Sequence, residues 1–401
     1  MTNREDFFDA FGPHTLLKHG VLDRYVKAWI QILKQHHEKL WIVDGFAGRG
    51  QDGTGQPGSP LLLARTAAAM RGEGAEIYLI AIEERRDHFE ALVQALAAFD
   101  AEREGTTPVA YLRRGTLAQH TDDAFKLIKR SPAFVFLDPF GADGLSLEFV
   151  RRTLALPKGE VFALFSTRAI FRHLAVLAAD RHIDRVHNAA AQPQLFPDLD
   201  QTWLATQLDR ASRSDASLLP TKQAAERILD DLFGGSAQVD RILALPSASW
   251  PTEVLGAYLE RLKDCKASHV TQLAVFDEEQ QQAYYLLHAA KNRVATLKMK
   301  EAVNTALSKS SLPERSKAHI RFSHPVRVDQ VVDLVRQQFA GQDVRWTDEA
   351  RGAATVQGYA LGETPMMADQ AAALKAALTS VYLLDRKPLR FRLPPMNGER
   401  A

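Results

Sequence analysis

Five short apolar segments, each followed by a stretch with helical spacing of its apolar residues, constrain the fold of this chain most. Such segments are too short for buried helices, and several end at glycine or proline, which predicts buried strands. Strands that alternate with helices form a mostly parallel sheet covered on both faces. The pattern therefore predicts an α/β protein. The predicted strands are LWIV at 40–43, EIYLIAIE at 76–83, PVAYLRRGT at 108–116, AFVFLDPFG at 133–141 and GEVFALFS at 159–166.

The length of 401 residues exceeds what one compact core usually holds, which predicts more than one domain. An amphipathic helix is predicted over HTLLKHGVLDRYVKAWIQILKQ, residues 14–35, within an N-terminal segment, residues 1–38. The sheet domain is expected at 39–310, with a helical insertion at about 180–245 and an antiparallel hairpin near Val270–Phe276 and Tyr284–Ala289. At 325–395, three helices and a small basic hairpin resemble a winged-helix module.

Composition excludes some classes of site and leaves others open. The single cysteine, Cys265, excludes an internal disulfide framework and thiolate-rich metal sites, and no metal is expected. It fits a reducing cytoplasm, as do the absence of a signal-peptide core and of a long apolar run, so we expect a cytoplasmic protein without a membrane span. The net charge of +1 decides nothing about nucleic acid, because a sum hides local patches.

The segment DGFAGRG, residues 44–50, follows the first predicted strand. Ligands of open α/β sheets bind outside the carboxyl ends of the strands. Gly48 and Gly50 allow close approach of the backbone, and Asp44 lies beside whatever enters. The segment has neither the ending of a P-loop nor the spacing of a dinucleotide fingerprint. An acidic residue here favours a cofactor with a cationic amino-acid portion, such as S-adenosylmethionine (SAM), although a purely structural turn is the alternative.

Two further acidic residues end predicted strands. Glu83 ends the second strand, where a carboxylate commonly accepts hydrogen bonds from ribose hydroxyls; strand alternation favours it over Glu84, which fits a solvated helix start. The fourth strand ends in Asp138-Pro139-Phe140. Asp138 could orient an amino group or the cofactor, Pro139 restricts the turn, and Phe140 could stack on a substrate ring. The alternative is a strand-end turn with a core phenylalanine.

Basic residues suggest where a nucleic acid could bind. Eight lysines and arginines between 291 and 321 oppose only Glu301 and Glu314. Four more lie on the predicted C-terminal wing. Basic side chains on such elements commonly contact phosphates, although a solvated helix face would show the same pattern. The residues are Lys291, Arg293, Lys298, Lys300, Lys309, Arg315, Lys317 and Arg321, and on the wing Arg386, Lys387, Arg390 and Arg392.

Together these segments resemble the three-Cys-motif partner protein family (TcmP). The resemblance covers most of residues 10–305, through KHGVLDRYVKAWIQIL at 18–33, DGFAGRG, GQPGSPLL at 55–62, LDPFGADG at 137–144, EVFALFS at 160–166 and YYLLHAAKNRVATLKMKEAV at 284–303. It implies a class I SAM-dependent methyltransferase-like (Rossmann-like) domain, and a cysteine-bearing partner protein, a radical enzyme encoded nearby. Its glycine turn implies cofactor contacts at Asp44, Gly45, Phe46, Ala47, Gly48 and Gly50, and its Asp-Pro-Phe turn corresponds to Asp138, Pro139 and Phe140.

The favoured function is methyl transfer from SAM to nucleic acid, with Asp138 and Phe140 orienting the acceptor. RNA is preferred to DNA, because Asp-Pro-Phe-Gly resembles a turn of some tRNA guanine methyltransferases. The alternative is a non-catalytic subunit that binds nucleic acid or the cysteine-bearing partner. Methylation of a small molecule or a protein also stays open. Lys18 and His14, on the helix before the first strand, could lie over the cofactor or be solvated.

Overall fold

The computed structural model describes residues 11–72, 74–103, 109–180, 221–276, 282–309, 320–322, 327–347, 356–363, 366 and 370–395. Its strands lie in two sheets. The larger sheet contains β1 Lys39–Asp44, β2 Glu76–Glu83, β3 Ala110–Arg114, β4 Ala133–Leu137, β5 Glu160–Phe165, β6 His269–Phe276, β7 Gln282–Ala290 and β8 Ile320–Phe322; the smaller contains β9 Asp343–Arg345, β10 Leu383–Arg386 and β11 Leu389–Arg392.

The helices of the described ranges follow the predicted alternation. They are α1 Pro13–Leu33, α2 Ser59–Met70, α3 Arg86–Ala101, α4 Thr121–Ile128, α5 Leu147–Ala155, α6 Thr167–Asp180, α7 Lys222–Phe233, α8 Ser236–Leu243, α9 Trp250–Asp264, α10 Arg293–Lys309, α11 Val328–Gln338, α12 Val356–Glu363 and α13 Gln370–Tyr382. None of these helices is long and apolar enough to cross a membrane.

The larger sheet has the order β3-β2-β1-β4-β5-β7-β6-β8. Strands β1 to β5 are parallel, which confirms the α/β prediction. Strand β7 is antiparallel to both β5 and β6. The predicted hairpin is therefore present, and it joins the sheet through its second strand. Strand β8, which was not predicted, extends the sheet at β6.

Strand β1 shows why five apolar segments suffice to define this sheet. Along it, Leu40 and Ile42 lie in one core while Trp41 and Val43 lie in the other. Helices cover both faces, so both sets of alternating side chains are buried and the strand becomes continuously apolar. Helices α1, α2, α3 and α10 cover the first face, and α4 to α9 cover the second.

Helix α1 runs antiparallel to the central strands. Near its start, the ammonium of Lys18 is bonded to Asp138, just beyond the carboxyl end of β4. Two turns later, the hydroxyl of Tyr25 donates to Glu160, the first residue of β5. Buried apolar side chains on both flanks of these contacts place α1 in the same core as the sheet. The first turns of α1 therefore overhang the carboxyl edge of the sheet.

The C-terminal residues form a separate small core. It contains Val331, Trp346, Leu374 and Phe391, contributed by helices α11 to α13 and by the smaller sheet. That sheet has the order β10-β11-β9, in which the unpredicted strand β9 pairs with the second strand of the predicted hairpin. Of the predicted helical insertion, residues 181–220 lie outside the described residues, and α7 and α8 follow them.

Candidate functional site

The order of the strands reverses between β1 and β4, because the chain runs outward from β1 to β3 and then returns to the other side of β1. At such a switch point the connections leave in opposite directions, and a crevice opens at the carboxyl ends of the strands. Asp44 ends β1 and Asp138 follows β4. The structure thus brings the two predicted turns together at the single position where this topology creates a crevice.

The glycine turn after β1 requires unusual backbone conformations. Gly48 has φ 62° and Gly50 has φ 86°, values that side chains disfavour. A Cβ on Gly50 would also lie 3.0 Å from the Cβ of Ala95. The loop then returns on itself, since the amide of Gly58 donates to the carbonyl of Gly50 at 2.8 Å, and α2 begins at Ser59. These glycines therefore set the shape of the turn.

Asp44 lies beneath this turn. It is fully buried, and its Oδ1 accepts a 3.2 Å hydrogen bond from the amide of Phe46. Burial raises the pKa of Asp44 to about 7, and the carboxylates of Asp138 and Glu83 raise it too. Its side chain lines neither of the clefts described below. Within the described structure, the predicted cofactor residue Asp44 thus supports the backbone of the turn from below.

Glu83 links the turn to the end of β2. One of its oxygens accepts from the amide of Gly48 and the other from the amide of Arg85, each at 2.8 Å. The residue is 8% exposed, and burial raises its pKa although both hydrogen bonds oppose the rise. The carboxylate thereby anchors the glycine turn while it forms part of a cleft wall.

Asp138 is paired with a residue that the strand motifs do not include. Its Oδ2 accepts from the ammonium of Lys18, a pair formed across 120 positions of sequence. The Lys18 side chain is 6% exposed and that of Asp138 is 20% exposed. Helix α1 therefore places a buried cation in contact with the Asp-Pro-Phe turn.

One cleft opens between the ends of β1, β2, β3 and β4, with a volume of about 340 Å³. We call it the acidic cleft, because its wall holds four carboxylates against one guanidinium. Its ionisable residues are Glu83, Glu84, Asp143, Asp231, Arg85 and His88. The turn after β3, Gly115 to Ala118, forms one side of it. Carboxylates and backbone groups without excess positive charge suit hydroxyl and amino donors, and do not suit phosphates.

A second cleft, of about 410 Å³, lies on the other side of the glycine turn. We call it the basic cleft, because two cations, Lys18 and Arg49, oppose one carboxylate, Asp138. His19 adds no charge at neutral pH, since burial and the neighbouring Lys18 lower its pKa to about 3. The remaining wall comes from the glycine turn, the start of α1 and the ends of β4, β5 and β7. Among the wall residues are Phe11, His14, Ala47, Gly48, Gly50, Ser59, Pro139, Ser166 and Tyr284.

Two phenylalanines separate the clefts, since Phe46 and Phe140 line both. The ring of Phe46 packs on the backbone of Gly144, where a Cβ would lie 2.0 Å from its Cζ. This contact holds the turn after β1 against the turn after β4. Phe140 is 55% exposed. The alternative of a core phenylalanine at this position is wrong.

The predicted site residues therefore lie around the two clefts, although the buried Asp44 lines neither of them. Gly45 and Glu83 line the acidic cleft; Ala47, Gly48, Gly50, Asp138 and Pro139 line the basic one. The motifs missed Tyr284 and the turn after β3. Tyr284 could have been found from the aromatic pair Tyr284-Tyr285, which lies near the start of β7, beside the end of β5. Among the described residues, no group of three or more His, Cys, Asp or Glu side chains is arranged to hold a metal ion.

The predicted basic surface at 291–321 is not present in the part of it that the structure describes. The ammonium of Lys291 bonds to the carbonyl of Leu156, Lys298 pairs with Glu301 at 2.7 Å, and Lys300 is 3% exposed. These lysines stabilise the fold and offer no open cationic face. Arg315 and Lys317 lie outside the described residues, and the side chains of Lys309 and Arg321 are not described.

The C-terminal hairpin keeps two of its four predicted cations open. Arg390 and Arg392 pair with Asp343 on β9, at 3.7 and 2.9 Å. Arg386 and Lys387 are exposed at the turn of the hairpin. Because Arg390 and Arg392 share the single carboxylate of Asp343, the hairpin keeps positive charge beside β9 as well as at its tip.

Comparison with known proteins gives no family model and no curated protein that matches this chain. Solved structures do match. The O-methyltransferase TomG from Streptomyces achromogenes, in complex with SAM, is 13% identical, with 69% of this chain and 90% of that chain covered and a TM-score of 0.29. Spermidine synthase in complex with the transition state analogue AdoDATO is 12% identical (80% and 73% covered, TM-score 0.30). A conserved hypothetical protein of Streptococcus pyogenes is 18% identical (35% and 75%, TM-score 0.24).

The strand order itself assigns the class of fold. Five parallel strands in the order β3-β2-β1-β4-β5 form the doubly wound half of a Rossmann-like sheet. The antiparallel strand β7, inserted between β5 and β6, completes the arrangement of a Rossmann-like methyltransferase fold. Its crevice lies at the glycine turn, where the acidic and basic clefts meet.

Proposed function

We propose that this protein binds SAM across the two clefts and transfers its methyl group to an acceptor in nucleic acid. One observation carries the proposal: clefts of opposite charge meet at a glycine turn, at the switch point of the sheet. The adenosine part of SAM has hydroxyl and amino donors that suit the acidic cleft. Its amino-acid part ends in a carboxylate that suits the basic cleft.

The protein's own residues have separable roles in this proposal. Glu83 accepts the ribose hydroxyls, and Gly45 to Gly50 bring the backbone close to the cofactor. Bound SAM supplies a methyl group activated by a sulfonium. Asp138 and Phe140 orient the acceptor, the first by accepting a hydrogen bond and the second by stacking. Such transfer depends chiefly on in-line positioning of the nucleophile and the methyl carbon, so it requires no metal.

Two features support a nucleic-acid acceptor. Phe140, which is 55% exposed, follows Asp138 and Pro139 in the same turn, and base–aromatic stacking is a common way to hold an unpaired base. The C-terminal residues have the order helix, strand, helix, helix and two strands, which we interpret as a winged-helix module with Arg386 and Lys387 at its tip. An unpaired base is more accessible in RNA, which we therefore favour over DNA.

The resemblance to the TcmP family adds a partner to this proposal. A neighbouring cysteine-bearing protein would act with this chain, in the cytoplasm, either on the same substrate or as the substrate's carrier. The non-catalytic alternative keeps that partner and gives up methyl transfer. Intact glycines at 48 and 50 and the retained Asp138 favour the enzyme.

Calorimetry with SAM tests the first part of the proposal. We expect micromolar binding to the wild type, loss of binding in Gly48→Val, and weaker but measurable binding in Asp138→Ala. Incubation with methyl-labelled SAM and total RNA or DNA tests the second part, and Asp138→Ala should then transfer little label. A folded wild-type protein that does not bind SAM would remove the enzyme and leave the non-catalytic subunit.

A further inference from the structure

Lys18 is a buried cation in the wall of the basic cleft. It is 5% exposed, and among the described residues its recorded partner is the Oδ2 of Asp138 alone. An ammonium has three donors. A buried cation with a single hydrogen-bonded partner is poorly compensated for the water that it has lost. An anionic ligand in the basic cleft would supply the missing acceptors.

The surroundings of Lys18 select an anion of small size. The neighbouring ring of His19 is neutral, because burial and Lys18 lower its pKa to about 3. It packs edge-on against Phe11, with 5.2 Å between the ring centroids. The glycine turn and Ser59 line the same cleft as Lys18. A compact carboxylate fits between backbone and ammonium more readily than a phosphodiester with its two bulky substituents.

We propose that Lys18 binds the α-carboxylate of the methionine portion of SAM, while Asp138 holds the Lys18 side chain in position. This inference rests on the proposed function and adds a cofactor-binding residue from outside the strand-end motifs. Because Lys18 uses Oδ2 of Asp138, the other carboxylate oxygen stays available to the acceptor. The amino-terminal helix thus completes the cofactor site.

The test compares two ligands that differ at the predicted contact. S-adenosylhomocysteine carries the amino-acid portion, whereas 5′-methylthioadenosine lacks it, and both carry adenosine. Calorimetry should show that the wild type prefers S-adenosylhomocysteine. In Lys18→Met we expect this preference to fall by about 10- to 100-fold, as expected for loss of a charge-assisted hydrogen bond. Affinity for 5′-methylthioadenosine should stay within about twofold, which also shows that the variant is folded.

Lys27→Met is the matched control. Lys27 lies on the same helix, half-exposed, and pairs with Asp23 at 2.6 Å. It should leave the preference unchanged, and Lys18→Arg should keep part of it. A Lys18→Met protein that retains the full preference would overturn the assignment while leaving the proposed function intact. A wild type that binds neither ligand would instead refute the proposed function and this inference together.

A phosphate of the nucleic acid is the other source of an anion. Fluorescence titration with a short single-stranded oligonucleotide, without cofactor, distinguishes it. We expect Lys18→Met to bind the oligonucleotide like the wild type. Weaker oligonucleotide binding with an unchanged ligand preference would assign Lys18 to the phosphate and contradict the proposal.

Discussion

The acidic and basic clefts lie side by side on one sheet edge, yet they are built differently. Most of the acidic cleft comes from turns that directly follow β1 to β4, with additions from α3 and α7. The basic cleft also needs the start of α1, which precedes β1 in the chain, and a residue of β7. Motifs at strand ends therefore locate the crevice but include the residues of only one of its sides.

Breaking the glycine turn should disable both clefts. Gly48→Val places a β-branched residue at φ 62°. The same residue donates its backbone amide hydrogen bond to Glu83. We expect loss of binding for both S-adenosylhomocysteine and 5′-methylthioadenosine, by about 100-fold or more, measured by calorimetry. Gly55→Val is the control, since Gly55 has φ 83° with open space around it and lines neither cleft. Equal losses in both variants would indicate general strain.

Asp44 offers a test of the support beneath both clefts. With its pKa raised from 3.8 to about 7, Asp44 keeps its proton in the folded state while the unfolded chain releases it above about pH 4. Its contribution to stability is thus present at low pH and lost as the pH rises through 7. Asp44→Asn should remove this loss and raise the free energy of unfolding at pH 8 by up to about 4 kcal/mol.

Urea unfolding at pH 5 and pH 8 measures this effect. The Asn variant should show a smaller pH dependence than the wild type. Asp52→Asn should change the stability at pH 8 in the opposite direction. Burial alone would raise the pKa of Asp52, but hydrogen bonds from Thr54, Phe11 and Gln56 hold it below its ordinary value. That variant should lose stability at pH 8. A wild type whose stability does not fall between pH 5 and 8 while Asp44→Asn changes nothing would contradict the burial argument.

Glu83→Gln should weaken both ligands, through the acidic cleft and through the glycine turn that Glu83 anchors. We expect both ligands to weaken by about tenfold, roughly 1.4 kcal/mol, because the adenosine portion common to both loses a charged acceptor. This result is the counterpart of Lys18→Met, which should affect only the ligand with a carboxylate. Glu84→Gln is the matched control, since Glu84 is exposed beside it. A larger effect at Glu84 would reassign the ribose contact.

Phe140, on the boundary of the clefts, should show the smallest effect on the cofactor. Phe140→Ala should leave S-adenosylhomocysteine affinity within about twofold. Binding of a single-stranded RNA should weaken about fivefold, near the lower limit of 1–3 kcal/mol for stacking on an aromatic ring. Ile32→Ala, an exposed apolar residue at the far end of α1, should change neither measurement. Unchanged RNA binding in Phe140→Ala would remove the stacking role.

Local patterns predicted much of this molecule. The bounds of β2 are those expected from EIYLIAIE, and α1 begins and ends within three residues of its predicted limits. Strands β8 and β9 were missed because each spans three residues, too few to show a period. Helix α2 is capped by Gly58, and its first residue, Ser59, lines the basic cleft.

By itself the sequence determined the alternating elements, the glycine turn and the acidic strand ends, because strand alternation, helical spacing and positive-φ glycines are properties of neighbouring residues. Only the tertiary structure decided which of these residues face a ligand. It buried Asp44 beneath the turn, exposed Phe140, bonded Lys291 to the carbonyl of Leu156 and paired Lys298 with Glu301. It also joined Lys18 to Asp138, since a contact between residues 120 positions apart depends on how helices pack on the sheet.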